Sequence, residues 1–140
     1  MDSRRVQIRK FGQNRAHAVE DHPRAERLVS GNPRRLTTTE FSAGVGQGNG
    51  EFSAGEWSCE PGAWRIEFAP NKDEFFHVIS GRIRLHDANG AITEVGPGES
   101  AVIPAEFSGI FEVLETVVKH FVVVERRIVP KPPRHAGAHP

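Results

Sequence analysis

The chain has 140 residues, of which 37% are hydrophobic and 26% charged; this fits one globular domain with flanking segments and excludes a fibrous or wholly disordered protein. It contains neither an apolar run of the ~18 residues needed to span a membrane nor a signal-peptide pattern at its start. Its single cysteine excludes an internal disulfide. These features predict a cytoplasmic protein with no membrane partner.

Opposite charges are segregated along the chain, although the formal net charge is zero. Residues 1–35 contain nine Lys or Arg and four Asp or Glu, residues 36–125 contain five and fourteen, and residues 126–140 contain four and none. The acidic central part argues against nucleic-acid binding, which needs a basic surface. We interpret the basic ends as solvated arms over the acidic body. The alternative is that they contact a partner or a polyanion.

The predicted elements are short β-strands confined to the centre of the chain. The Gly-rich stretch 42–50 predicts a flexible loop, and after it short runs of Val, Ile, Phe and Trp are interrupted by turn signals. The predicted strands are 52–58, 63–69, 74–79, 82–87, 91–95, 100–103, 109–114 and 117–125. About eight short strands indicate a sandwich or a barrel. We therefore divide the chain into a basic N-terminal arm (1–39), a folded domain (40–125) and a Pro-rich C-terminal tail (126–140).

Two groups of residues resemble the two sequence motifs of the cupin superfamily. The first motif, G-x5-H-x-H-x3-E-x6-G, is matched without its histidines by Gly62, Phe68, Pro70, Glu74 and Gly81. The second, G-x5-P-x-G-x2-H, is matched without its histidine by Gly98, Pro104 and Gly109, with Glu106 in place of a glycine. The amino-acid sequences of segments 57–62, 73–81 and 95–104 are similar to those of single-domain ureidoglycine-aminohydrolase-like, or ethanolamine-utilisation-like, cupins.

This resemblance covers residues 40–125 and implies an all-β fold, the cupin double-stranded β-helix barrel of jelly-roll type, here between mobile N- and C-terminal arms. It also implies a homodimer. The metal-ligand positions of cupins fall on Phe68, Pro70, Glu74 and Gly109, and of these only Glu74 has a side-chain donor. One carboxylate does not hold a transition metal against water. We therefore predict no metal and no other cofactor.

Alternation along each strand predicts which side chains face the barrel interior. With Phe68 and Glu74 facing inward, the side chains two and four positions away on the same strands also face inward, and several of these are aromatic. On the last strand we expect Lys119 to face solvent, which turns Val118, His120 and Val122 inward. The predicted ligand-binding residues are Trp64, Phe68, Glu74, Phe76, Phe111 and His120.

Glu74 and His120 are the candidate catalytic residues, because they are the ionisable groups predicted on the inner face. We consider two functions: a non-catalytic or regulatory cupin that binds a small-molecule metabolite in the barrel, and a metal-independent isomerase or lyase in which these residues transfer protons. A purely structural role for both residues is the alternative.

Two further features are interpreted structurally. Cys59 has no paired base in the sequence, so we expect a buried structural thiol. Phe75, His77 and Ile79 alternate to the outer face, which predicts an apolar surface covered by a second chain or by the N-terminal segment.

Overall fold

Nine β-strands make up most of the computed structural model, which describes residues 6–13 and 17–128. The strands are β1 (Val19–Asp21), β2 (Leu28–Ser30), β3 (Arg35–Gly44), β4 (Gly50–Cys59), β5 (Gly62–Glu67), β6 (Lys72–Asp87), β7 (Ile92–Val95), β8 (Ser100–Ile103) and β9 (Ser108–Arg126). A three-residue 3-10 helix, Ala25–Arg27, precedes β2. The described part of the chain contains no helix that is long and apolar enough to cross a membrane.

The long strand β9 organises the fold. Along one edge it pairs with β4 and β5, and along the other it pairs with β6. The sheet continues outward from β4 to β3 and β1 and from β5 to β2, while β7 and β8 pair with β6. All of these pairings are antiparallel. This curled sheet with a buried interior confirms the predicted all-β barrel.

Two pairs of predicted strands are each one continuous strand. Strand β6 unites the predicted strands 74–79 and 82–87, and β9 unites 109–114 and 117–125. The Ser80–Gly81 turn signal marks an irregularity in β6, where the register with β9 shifts between Val78 and Arg82. Gly81 has φ +83°, and a Cβ there would lie 2.2 Å from the Thr116 carbonyl oxygen. Glycine therefore bends the strand instead of ending it.

Part of the predicted N-terminal arm belongs to the sheet. Strand β1 pairs with β3, β2 pairs with β5, and β3 pairs with β4 along its length. Residues 19–30 therefore contribute two short strands to the sheet, while the mobility expected of the arm stays a prediction. The Gly-rich stretch extends β3 to Gly44 and then forms a tight turn closed by the Val45 amide, which donates to the Gly50 carbonyl. Residues 129–140 of the predicted tail lie outside the described residues, and the boundaries of the arm and tail stay predictions.

Side chains from the inner face of the curled sheet fill one apolar core. Its buried members are Cys59, Trp64, Phe76, Val78, Ile83, Leu85, Val95, Ile103, Phe111, Val113, Val117 and Phe121. The inward alternation predicted for β5, for β6 and for the first half of β9 is confirmed by this set. One end of the core is incompletely filled, and the candidate site lies there.

Candidate ligand-binding site

A cavity of about 300 Å³ opens inside the barrel between β4, β5, β6 and β9. Five aromatic rings contribute to its wall: Trp57, Trp64, Phe68, Phe111 and Phe121. Trp64 stacks on Phe111 with 5.1 Å between ring centroids, and Trp57 meets Phe111 edge-on at 5.6 Å. Such contacts keep the rings in fixed positions. The aromatic part of the wall is therefore preorganised.

A buried ion pair lies in this aromatic wall. Lys119 Nζ donates a hydrogen bond of 2.7 Å to Glu74 Oε2, and the two side chains are only 5% and 13% exposed. The same ammonium lies 4.5 Å from the ring centroids of Trp57 and Phe76 and 5.1 Å from that of Phe111. Ring faces carry negative charge density, so they stabilise a cation that has lost its water. Lys119 is thus held by one carboxylate and three rings.

The inward placement of Lys119 corrects the prediction for the last strand. Because β9 has one uninterrupted alternation, the parity that turns Phe111 inward also turns Lys119 inward and His120 outward. His120 lies on the outer face, where its Nε2 is 3.4 Å from Glu56 Oε1 and its ring is 4.9 Å from that of Phe11. Treating 109–114 and 117–125 as separate strands hid this parity. A lysine charge inside a barrel has to be paired, and Glu74 supplies that pair.

The other predicted ligand-binding residues lie inside the barrel. Trp64, Phe68, Glu74 and Phe111 line the cavity, and Phe76 is fully buried behind it against Lys119. Only His120 lies elsewhere. Sequence reasoning missed a second set of lining residues, Trp57, Arg35, Lys72, Lys119 and Phe121. Its aromatic members, Trp57 and Phe121, occupy positions of the same parity as the inward residues Cys59 and Phe111 of their strands and could have been found from that parity.

Two further cations border the cavity where it opens to solvent. Arg35 donates to both carboxylate oxygens of Asp21, at 2.8 and 2.7 Å, and its guanidinium lies 5.3 Å from the Trp64 ring. Lys72 Nζ lies 4.6 Å from the centroid of Phe68. Among the described residues no carboxylate is within ion-pair distance of Lys72. At the opening, Lys72 therefore carries a positive charge that no ion pair with the described residues balances.

The residues at the metal-ligand positions of cupins do not fit a metal. Phe68 presents a ring, Pro70 and Gly109 have no donor, and the one suitable carboxylate, Glu74, accepts a hydrogen bond from the Lys119 ammonium. An ammonium beside that carboxylate repels a metal cation. No cluster of three or more metal-binding side chains occurs within residues 6–13 and 17–128.

Two ionisable groups near the cavity have clearly shifted pKa values. The pKa of Cys59 is raised from 9.0 to about 12, chiefly because burial disfavours the thiolate, while the Arg35 charge acts in the opposite direction. The pKa of Asp73 is lowered, first by a hydrogen bond from Arg126 and then by one from the Ala105 amide. Neither group lines the cavity, and both support its frame.

Comparison with known proteins places this geometry in a family. The model of the EutQ-like cupin domain family matches residues 46–121. Similar solved structures include a protein of the DUF861 family with unknown function from Pseudomonas syringae pv. tomato, with a TM-score of 0.65, 19% identity, and coverage of 78% of this chain and 45% of that one. EutQ from Clostridium difficile has a TM-score of 0.52, 18% identity, and coverage of 66% and 63%. Ectoine synthase from P. lautus has a TM-score of 0.50, 14% identity, and coverage of 76% and 85%.

At these identities the structural likeness shows the fold alone. The chain spans 45% of the Pseudomonas protein and 63% of the Clostridium protein. Comparison of the sequence with curated proteins found no match.

Proposed function

Since this chain belongs to the family of EutQ-like cupin domains, we propose that its barrel binds a small-molecule metabolite without a metal ion, in a non-catalytic or regulatory role. The observation that carries the proposal is the solvent-reachable cavity with aromatic walls and one buried ion pair, Lys119–Glu74. Ligand sites in proteins are mostly apolar and contain a few fixed polar groups that orient the ligand. The cavity has both features.

The Lys119–Glu74 pair supplies the polar anchor that a metal supplies in other cupins. An ammonium has three donors, and one of those of Lys119 is used by Glu74 Oε2. The second Glu74 oxygen accepts no hydrogen bond from the described residues. The pair thus offers a ligand both donors and an acceptor. Because the surrounding rings exclude water, hydrogen bonds made here are stronger than at the surface.

The binding proposal is tested with cavity-filling variants. Ile103 lines the cavity, whereas Ile79 is 46% exposed on the outer face of β6, so Ile103→Phe fills the cavity and Ile79→Phe is its matched control. Native mass spectrometry of the protein, equilibrated with a small-metabolite extract and with EDTA, is expected to detect a bound species in the wild type and in Ile79→Phe but not in Ile103→Phe. Thermal unfolding checks that each variant is folded.

Bound species that persist unchanged in Ile103→Phe, or no bound species in the wild type, would contradict interior binding. Loss of the bound species on adding EDTA would contradict metal independence.

The buried ion pair favours one second candidate, a metal-independent isomerase or lyase. Glu74 is placed to remove a proton from a bound molecule, and Lys119, at 2.7 Å from it, is placed to stabilise the negative charge that develops. His120 has no part in this version because it lies on the outer face. The enzyme candidate predicts that a bound ligand exchanges a carbon-bound hydrogen for deuterium in D₂O. Glu74→Gln should abolish the exchange, while Glu56→Gln on the outer face should not change it.

A further inference from the structure

We infer that the site is selective for anions and binds a small carboxylate with a flat apolar body. The carboxylate would lie beside Lys72, and the body would lie among the rings inside the barrel. This inference rests on the proposed function and adds the chemical class of the ligand. It also gives a role to residues before position 46, where the family match begins.

A basic mouth leads into the cavity. It is lined by one carboxylate, Glu67, and five cationic side chains, Arg24, Arg27, Arg35, Arg65 and Lys72. Residues on β3, on β5, directly after β5 and on β6 line both this mouth and the interior: Arg35, Trp64, Ile66, Phe68 and Lys72. The mouth and the interior therefore form one continuous site, and a molecule that enters the barrel has to pass the cations.

The positive charge of the mouth is only partly balanced. Arg35 is neutralised by the two-pronged contact with Asp21, and Arg27 lies 3.9 Å from Glu67 in a loose, exposed pair. Arg65 donates to a backbone carbonyl, which carries no net charge. Lys72 makes no ion pair within the described residues: its ammonium lies 4.6 Å from the Phe68 ring centroid, and its cross-strand neighbour Glu125 is not within ion-pair distance. Lys72 is half-buried at the boundary between mouth and interior, so it is the cation best placed to pair with an incoming anion.

The interior determines the rest of the ligand. Beyond Lys72 the wall includes five aromatic rings, of which Trp64 and Phe111 stack on each other, and a flat molecule can extend such a stack. The Lys119 charge is already paired with Glu74, so the deep end is overall neutral and favours the uncharged end of the ligand. An amphiphilic anion placed with its charged group outward satisfies both ends of the site.

The uneven charge distribution along the sequence supports this assignment. Residues 36–125 carry nine more acidic than basic side chains, and of the five mouth cations they contribute only Arg65 and Lys72, so the basic opening needs further cations. The N-terminal segment supplies them, because the 3-10 helix and β2 position Arg24 and Arg27 beside β5. A positive opening in an otherwise acidic body attracts small anions from a distance.

The test uses three flat molecules of the same shape that differ in charge: benzoate, benzamide and benzamidine. Calorimetry on the full chain is expected to give benzoate an affinity about tenfold or more above that of benzamide, because only benzoate makes a charge-assisted contact with Lys72. Benzamidine is expected to bind most weakly, because Lys72 repels its positive charge. Lys72→Gln should lower the benzoate affinity about tenfold and change the benzamide affinity by less than about twofold. Lys10→Gln, which removes an exposed lysine outside the site, is the matched control.

A second measurement needs no ligand. Trp57 and Trp64 are the only tryptophans of the chain and both line the cavity, so the intrinsic fluorescence reports on this site alone. Iodide is expected to quench it more strongly than caesium, and Lys72→Gln and Arg24→Gln should reduce the difference.

Equal affinities for benzoate and benzamide, or no effect of Lys72→Gln, would overturn anion selectivity while leaving interior binding intact. Failure of all three probes to bind, together with equal quenching by iodide and caesium, would overturn the inference as well. Loss of the proposed function itself would be recognised separately, by bound metabolites that are insensitive to Ile103→Phe.

Discussion

Burial of the Lys119 charge inside the barrel costs free energy, which its contacts with Glu74 and the surrounding rings offset. Removing a lysine and a carboxylate from water is expensive, and removing one partner from a buried pair leaves the other uncompensated. We therefore expect Lys119→Met to lower the free energy of unfolding by about 3 kcal/mol. In the double variant Lys119→Met/Glu74→Gln part of that loss should be recovered, since no buried charge remains. Urea denaturation of the wild type, both variants and the surface control Lys10→Met measures this.

A double variant no more stable than Lys119→Met would show that Glu74 is solvated well enough to need no partner. In that case the pair would be an ordinary surface contact rather than the centre of the site.

Cys59 is the second residue whose chemistry follows from burial. The thiolate is the reactive form, and burial raises the pKa of Cys59 from 9.0 to about 12. At pH 8 the native protein should therefore be alkylated by iodoacetamide roughly a thousandfold more slowly than after unfolding in urea. Since the folded pKa lies above the unfolded one, stability from this group is present below pH 9.0 and is lost as the pH rises towards 12. Rapid alkylation of the native protein would contradict a buried thiol.

At the scale of elements, an ion pair fastens the end of β9 to the start of β6. Arg126 donates to Asp73, and the Asn71 side chain donates to the Arg126 carbonyl at 2.7 Å. Because the folded pKa of Asp73 is lowered, its stabilisation is present above the unfolded value near 3.8 and is lost as the pH falls through the folded value. The wild type should therefore lose stability below about pH 4 more steeply than Asp73→Asn.

Urea midpoints at neutral pH and at several values below pH 4 test this, with Glu51→Gln as an exposed carboxylate control. Parallel pH profiles for the wild type and Asp73→Asn would contradict a role for this pair.

Element by element, the central strands could be predicted from the sequence because aromatic and β-branched runs alternate there between clear turn signals. Strands β1 to β3 could not, since their polar composition carries no apolar alternation and their stability comes from pairing with β4 and β5. The same limit affected the site. The inward positions of Trp64 and Glu74 follow from alternation. The inward position of Lys119 could be predicted only if β9 were known to continue unbroken from Phe111 and a carboxylate were known to lie near it.

At the scale of the whole molecule, an apolar patch on the outer face of β6 and β8 has no cover among the described residues. Phe75, Ile79 and Val102 are 45%, 46% and 59% exposed, and Phe75 lies opposite Val102 in the sheet. The described part of the N-terminal segment docks elsewhere, with Arg9 beside Phe41. Leaving such side chains in water forfeits roughly 1.5–3 kcal/mol each relative to burial.

We therefore expect a homodimer in which this patch meets a second copy of the chain, as two-fold interfaces pair identical surfaces. Light scattering should give the mass of a dimer for the wild type and of a monomer for Phe75→Glu, because a carboxylate at the centre of the patch would be buried without a partner. Val19→Glu, on an exposed position of β1, should remain dimeric. A folded wild type that stays monomeric at high micromolar concentration would contradict the dimer and leave the patch as ordinary exposed surface.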